Sequence, residues 1–299
     1  MQQSYPPTMD RVEKEIAFHL EKNNTLAPAF AVYKSILAVQ LKYLDKVEVA
    51  GKKSADEIKD CFRNEKYLLA EQKPVLDGVL FREVLASVAG AIREASPEAP
   101  EALRNLPELD EFNADNIDEF IQQVICFNKQ EMEAFIEKKE MDKRAALDSE
   151  VIAFVIFMSL SPFISRMMQE VEAGVGFSLW RQGYCPICGQ TAFMAKHRSE
   201  DGARVLECWL CHAQWVFPRL ECPYCDNKEQ KKLRFFYVPG DKSRQVHVCE
   251  ECKSYLKTVD AKAMQKDVIL EVEGIATGRL DLLAEQEGYR PPARAPLLH

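Results

Sequence analysis

The chain reads as an α+β protein. An all-helical N-terminal domain comes first, followed by two tandem β modules of metal-ribbon type and a short C-terminal helix. Two observations predict this. Apolar residues recur every three or four positions through the first 180 residues. Four C-x-x-C pairs, Cys185/Cys188, Cys208/Cys211, Cys222/Cys225 and Cys249/Cys252, then follow among short alternating apolar segments. The expected divisions are residues 1–180 for the helical domain, 181–218 and 219–260 for the two ribbons, and 261–299 for the C-terminal helix and tail.

In the helical part, Val12, Ile16 and Leu20 stand four apart and predict a helix over Met9–Lys22. Pro28 breaks it. A second helix is expected over Phe30–Val47, with Val32, Ile36, Leu37, Gln40, Leu41 and Leu44 on its stripe. Ser54 and Glu57 fit a capping box for a short helix reaching Tyr67. A longer helix is expected from Val75 to Ala95, with Val79, Leu80, Val84, Leu85 and Val88 inward, and an amphipathic one over Asn116–Met141. Asp148 then caps the most apolar run, Val151–Leu160, which is too short before Ser161-Pro162 for a membrane span of about 20 residues. It reads as the central helix of a bundle. Phe177, Leu179 and Trp180 are expected to pack the first ribbon against that bundle.

The cysteine pairs are separated by 19, 10 and 23 residues. A pair, a gap of about 15–20 residues and a second pair is the spacing of a four-thiolate metal site. Each pair supplies half a tetrahedron from one tight turn, and the intervening hairpin returns the other half. Pairs one and two are therefore expected to close one site, and pairs three and four another. A crossed pairing of pairs two and three would leave the outer pairs to find each other across the module. Pro186, Gly189 and Pro223 suit such turns. Strands are expected over 202–207, 214–221, 233–238 and 245–248. A helical tail follows Asp260, clearest over Asp281–Tyr289 and stopped by Gly288.

The remaining signals mostly exclude. A net charge of −8 over 299 residues argues against a general nucleic-acid or membrane-surface binder. Residues 181–260 carry 13 Lys/Arg against 10 Asp/Glu, with no basic stripe. Met1-Gln-Gln-Ser-Tyr-Pro-Pro is no signal peptide, so a cytoplasmic location with reduced thiols is expected. Cys208-Trp-Leu-Cys-His212 matches the haem-attachment pattern, but that chemistry follows export. His212 and His247 are read as neighbours of the metal sites rather than ligands. Cys61 and Cys126 are read as core thiols, and Trp209 and Trp215 as shields of the metal or a partner face. With no catalytic constellation, the chain is not expected to be an enzyme.

The ordered motifs Cys-Pro-Ile-Cys-Gly, Leu-Glu-Cys-Trp-Leu-Cys-His-Ala-Gln-Trp, Leu-Glu-Cys-Pro-Tyr-Cys and Cys-Glu-Glu-Cys-Lys-Ser-Tyr-Leu-Lys resemble the FdhE family, accessory proteins of bacterial formate dehydrogenase. The tail Leu-Leu-Ala-Glu-Gln-Glu-Gly-Tyr resembles that family's C-terminal end. The resemblance covers roughly residues 183–290. It implies a cytoplasmic maturation factor that binds the catalytic subunit of formate dehydrogenase, a molybdenum enzyme folded and loaded before export. It also implies two rubredoxin-like modules. One would hold iron on Cys185, Cys188, Cys208 and Cys211, the other on Cys222, Cys225, Cys249 and Cys252. Spacing alone leaves iron and zinc open, since both accept four sulfurs. A rubredoxin-type electron carrier and a zinc-ribbon nucleic-acid or protein-binding module are the alternative readings.

Overall fold

A computed structural model of the chain describes residues 5–49, 51–72, 76–96 and 149–291. The helix expected over Asn116–Met141, the cap at Asp148 and Cys126 lie outside these residues.

The helical part contains α1 (Met9–Lys22), α2 (Ala27–Leu44), α3 (Ala55–Arg63), α4 (Leu68–Glu71), α5 (Gly78–Ala95) and α6 (Ser149–Gly174). Helix α1 begins where its sequence pattern begins, and Val12 and Ile16 are buried. Pro28 does not merely end α1. It occupies the first turn of α2, where its missing N–H would have no helical partner anyway. The capping box forms: Ser54 Oγ accepts from Glu57 N, and Glu57 Oε2 accepts from Ser54 N at 2.7 Å. Helix α3 stops at Arg63, short of Tyr67, because Glu65 turns left-handed. Helix α5 starts later than its pattern, capped by Asp77 on Val79 N and Leu80 N. Val79 therefore lies on the first turn and is 60% exposed, against expectation, while Phe81 joins Val84, Leu85 and Val88 inside.

The apolar run does not end at Ser161-Pro162. Helix α6 continues through Pro162 to Gly174, 26 residues in all. Proline has no N–H, so the carbonyl of Met158 loses its helical donor. Buried Gln40 on α2 replaces it, donating from Nε2 to Met158 O at 3.0 Å. A neighbour thus satisfies what the sequence breaks locally. Gln40→Leu is expected to destabilise the chain by about 1–3 kcal/mol, read as a lower urea midpoint at unchanged slope. No helix among the described residues is long and apolar enough to cross a membrane.

The second half is one six-stranded sheet, with strands β1 (Ala192–His197), β2 (Arg204–Cys208), β3 (Gln214–Val216), β4 (Leu233–Tyr237), β5 (Arg244–Cys249) and β6 (Tyr255–Asp260). Their order is β3-β2-β1-β6-β5-β4. Neighbours are antiparallel except β1 and β6, which pair in parallel from Met194/Lys257 to His197/Asp260. That parallel seam joins the two ribbons edge to edge. Short helices α7 (Ala261–Met264), α8 (Leu270–Ala276) and α9 (Gly278–Gln286) follow. Gly288 ends the last of them with a φ of 85°.

The strands β1 and β6 were not expected, because neither alternates. Both are buried along nearly their whole length, and each holds a buried lysine. Lys196 Nζ donates to Asp267 at 2.6 Å, and Lys257 Nζ donates to Asp281 at 2.6 Å. These partners come from the loop before α8 and from α9, so charged residues sit in the centre of the sheet without an unpaired charge. Glu273 of α8 is likewise fully buried. Burial works against its charge, but bonds from His19 and from Arg244 Nη2, at 2.8 Å, hold its carboxyl below the usual range. It ties α1, α8 and β5 together.

The packing is unequal. Trp180, Ile187, Trp215, Phe217 and the sulfurs of the first two cysteine pairs belong to the core formed by α2, α3, α5 and α6. The second ribbon has its own small core, in which Val246, Val248 and Tyr255 meet Leu280 and Ala284 of α9 and the nearby Tyr289.

Candidate metal centres

The four cysteine turns are copies of one another. In each, the residue after the second cysteine donates its N–H to the carbonyl of the first: Gly189 to Cys185 (3.0 Å), His212 to Cys208 (3.1 Å), Asp226 to Cys222 (3.1 Å) and Lys253 to Cys249 (2.9 Å). The first cysteine's N–H is bonded in turn by the next residue but one, as in Cys185 N to Gln190 O at 2.7 Å and Cys249 N to Ser254 O at 3.1 Å. The turn needs a left-handed residue at its end. Gly189, His212, Asp226 and Lys253 supply it with φ of 73°, 59°, 56° and 57°. Only Gly189 adopts this freely. Its space is also closed to a side chain, since a Cβ there would stand 2.9 Å from the Tyr67 ring.

The turns bring their sulfurs together as the spacing predicts, pair one with pair two and pair three with pair four. Sγ atoms are 3.4 Å apart for Cys185/Cys211 and Cys188/Cys208, and 3.9 Å for Cys188/Cys211. In the second group Cys222/Cys252 are 3.8 Å apart and Cys225/Cys249 3.7 Å. A tetrahedron with metal–sulfur bonds of about 2.3 Å has edges of about 3.8 Å. A disulfide needs about 2.05 Å, so both groups have the dimensions of a metal cage and not of a bridge. All eight cysteines are free. Backbone and side-chain N–H groups point at the sulfurs: Ile187 N at Cys185 (3.4 Å), Tyr224 N at Cys222 (3.5 Å) and Asn227 Nδ2 at Cys249 (3.6 Å). Asp226 in place of glycine therefore leaves the second group with donors.

No protein-family model matches the chain. It is 28% identical over 148 residues to the FdhE homolog of Aquifex aeolicus, covering 48% of this chain and 50% of that one. It is 34% identical over 116 residues to the FdhE homolog of Stutzerimonas stutzeri, covering 38% and 37%. To Protein FdhE of Escherichia coli K12 it is 29% identical over 150 residues, covering 48% and 47%. The matched stretch thus spans half or less of these relatives. The fold extends the likeness, since the crystal structure of the FdhE protein from Pseudomonas aeruginosa superposes with a TM-score of 0.56 at 17% identity, covering 98% of this chain and 97% of that one. The chain is thus similar to FdhE proteins in sequence over half its length or less, and in fold over nearly all of it.

Within this FdhE-type fold the two cysteine groups differ sharply in burial. Cys185, Cys188, Cys208 and Cys211 are at most 1% exposed. The first turn is clamped by a segment that sequence patterns did not single out. Leu68 N and Leu69 N, free at the start of α4, donate to Pro186 O and Ile187 O at 2.9 Å each, and Tyr184 Oη donates to Glu65 O at 2.7 Å. The only advance signal was Tyr67 followed by two leucines. In the second group Cys225 is exposed and Cys252 half-buried. Beside it lies a cleft of about 160 Å³ lined by Arg219, Leu220, Tyr224, Phe235 and His247.

The chemistry of the sulfurs follows from burial. Without a cation, burial pushes the Cys185, Cys188 and Cys211 thiols up. At Cys208 burial acts the same way, but hydrogen bonds from the other three sulfurs win and hold it low. In the second group burial pushes Cys225 up to about 11. Loading a dication requires these protons to leave, so metal affinity rises with pH.

Neither histidine belongs to a cysteine group. His212 Nδ1 is 2.7 Å from Glu271 Oε1, and its ring stacks on Tyr5 at 4.0 Å. His247 lies against His197 and Phe235, and burial lowers its pKa to about 3. Both flanking tryptophans are buried: Trp215 donates to Gln182 O at 2.9 Å, and Trp209 meets Phe157 edge-on at 5.1 Å. They enclose the first group rather than present a partner face. Cys61 lies half-buried on α3 against the main core.

Proposed function

We propose that this chain is an accessory protein in the assembly of formate dehydrogenase, binding that enzyme's catalytic subunit. We also propose that Cys185, Cys188, Cys208 and Cys211 hold one metal ion, and Cys222, Cys225, Cys249 and Cys252 a second. Iron is the first choice and zinc the alternative. The observation that carries this reading is the pair of tetrahedral sulfur cages set in an FdhE-type fold. A bound ion supplies folding energy to ribbons too small to be held by apolar burial alone, and iron adds one-electron chemistry. The chain's own contribution is to aim four sulfurs at one point and to keep water from the first cage. The partial exposure of the second cage supports a redox or sensing role there, because electron exchange with a partner requires close approach.

Two measurements test the reading. The full chain, carrying two metal equivalents, is expected to retain the formate dehydrogenase catalytic subunit when both are co-expressed. Retention of no subunit by fully loaded protein defeats the accessory role. Double replacement Cys222→Ser/Cys225→Ser is expected to leave one metal equivalent and an intact helical part by circular dichroism. Two equivalents in that variant would overturn the ligand assignment.

A further inference from the structure

We propose that Glu207, His212 and Glu271 form a third metal site, built for one divalent cation and chemically distinct from the two sulfur cages. A carboxylate oxygen of each glutamate and a ring nitrogen of His212 lie within 4.8 Å of one another. Ions of the zinc, iron and manganese type bind such atoms at about 2.0–2.2 Å, so small side-chain shifts close this triangle on one ion.

Three features set it apart from an ordinary acidic cluster. The first is an orphaned acceptor. Glu207 is 2% exposed, yet its Oε1 has no hydrogen-bond partner, while Gln214 Nε2 donates to its other oxygen. The second is space. A cavity of about 30 Å³ is lined by Tyr5, Lys196, Glu207, Gln214 and Glu271, room for an ion or a single water. The third is the mounting of the histidine. Its Nε2 lies 3.4 Å from Ser161 Oγ on α6 and its ring face is covered by Tyr5, which leaves Nδ1 directed at Glu271. A metal-binding histidine is oriented in this way, one nitrogen anchored and the other presented.

Charge supports the same assignment. Lys196 bonds Asp267 at 2.6 Å, and Arg11 lies 3.3 Å from Glu15 and 3.6 Å from Asp267. Those two cations are equalled in number by those two acids, while Lys196 also attracts Glu207 and Glu271. Two carboxylates remain beside a histidine, and one dication balances them where burial would otherwise penalise both. Two oxygens and one nitrogen suit manganese, ferrous iron or zinc. Glu207 precedes Cys208 and His212 follows Cys211, so the ion would brace the second cysteine turn against α6, α8 and the N-terminal segment.

The test uses Mn²⁺, which prefers oxygen and nitrogen to thiolate. Full-length protein with both cysteine cages loaded is titrated, and free Mn²⁺ is followed by its electron paramagnetic resonance signal. One bound Mn²⁺ per chain is expected, beyond the two ions counted by elemental analysis. E271Q and E207Q are each expected to weaken it at least tenfold while both cysteine-held ions stay in place, which shows that the fold survives. Absence of bound Mn²⁺ in the wild-type chain overturns the site and leaves a buried hydrogen-bonded cluster. Binding that neither variant weakens also overturns it, since the Mn²⁺ then sits elsewhere.

Discussion

A chelator is expected to strip one metal equivalent from the chain quickly and to leave the other behind. The four cysteines of the first cage are at most 1% exposed and belong to the core shared with α2, α3, α5 and α6. Releasing that ion requires opening the core. The second cage has Cys225 exposed and Cys252 half-buried, and its supporting cluster is the small one against α9. Local opening suffices there. A difference in opening free energy of about 2.7 kcal/mol already separates the two rates about a hundredfold. A chromogenic chelator added to loaded protein should therefore show two phases of equal amplitude. Cys222→Ser/Cys225→Ser should abolish the fast one. A single phase accounting for both ions would show that burial does not govern release.

The substitution expected to do most damage for the smallest chemical change is Gly183→Ala. A Cβ on Gly183 would stand 1.9 Å from the carbonyl oxygen of Pro223 and 2.6 Å from its carbonyl carbon and Cα. These are backbone atoms of the third cysteine turn, which cannot swing aside as a side chain would. The glycine is required here for close approach, because the entry to the first ribbon lies directly on a turn of the second. Overpacking of this kind is expected to cost about 3 kcal/mol or more. Gly90→Ala is the control. Gly90 lies inside α5 with nothing within 4 Å of a Cβ, and the same change there should stabilise the chain by up to about 1 kcal/mol. Urea midpoints of the two variants should move in opposite directions. A Gly183→Ala protein as stable as wild type would mean that the two ribbons do not meet as described.

The cysteine groups were legible in sequence because a repeated spacing is a local property. Each turn carries its own instructions, and the pairing of turns follows from the lengths between them. The antiparallel hairpins were legible for the same reason: Leu233–Tyr237 and Arg244–Cys249 alternate and are joined by a Pro-Gly turn. What escaped notice depends on distant partners. The strands over Ala192–His197 and Tyr255–Asp260 look unlike buried strands until Asp267 and Asp281 are placed beside their lysines. Pro162 reads as a helix end until Gln40 supplies the missing donor. Tyr67 reads as the end of one helix, whereas it and the two leucines after it pack on or bond the first cysteine turn from outside the ribbon. The same holds for Glu271, which meets Glu207 and His212 only through tertiary packing.

The parallel seam between β1 and β6 also sets an order of events during synthesis. Among the described residues β6 is the last strand to leave the ribosome, yet it sits in the middle of the sheet. Until residues 255–260 emerge, the hairpins of the first ribbon present β1 as an open edge, with its backbone groups unpaired. The first four sulfurs are all translated by Cys211, so the first cage is complete in the chain before β5 and β6 exist. The most deeply enclosed cage is thus also the one whose ligands are made first, ahead of the first cysteine of the other cage at Cys222.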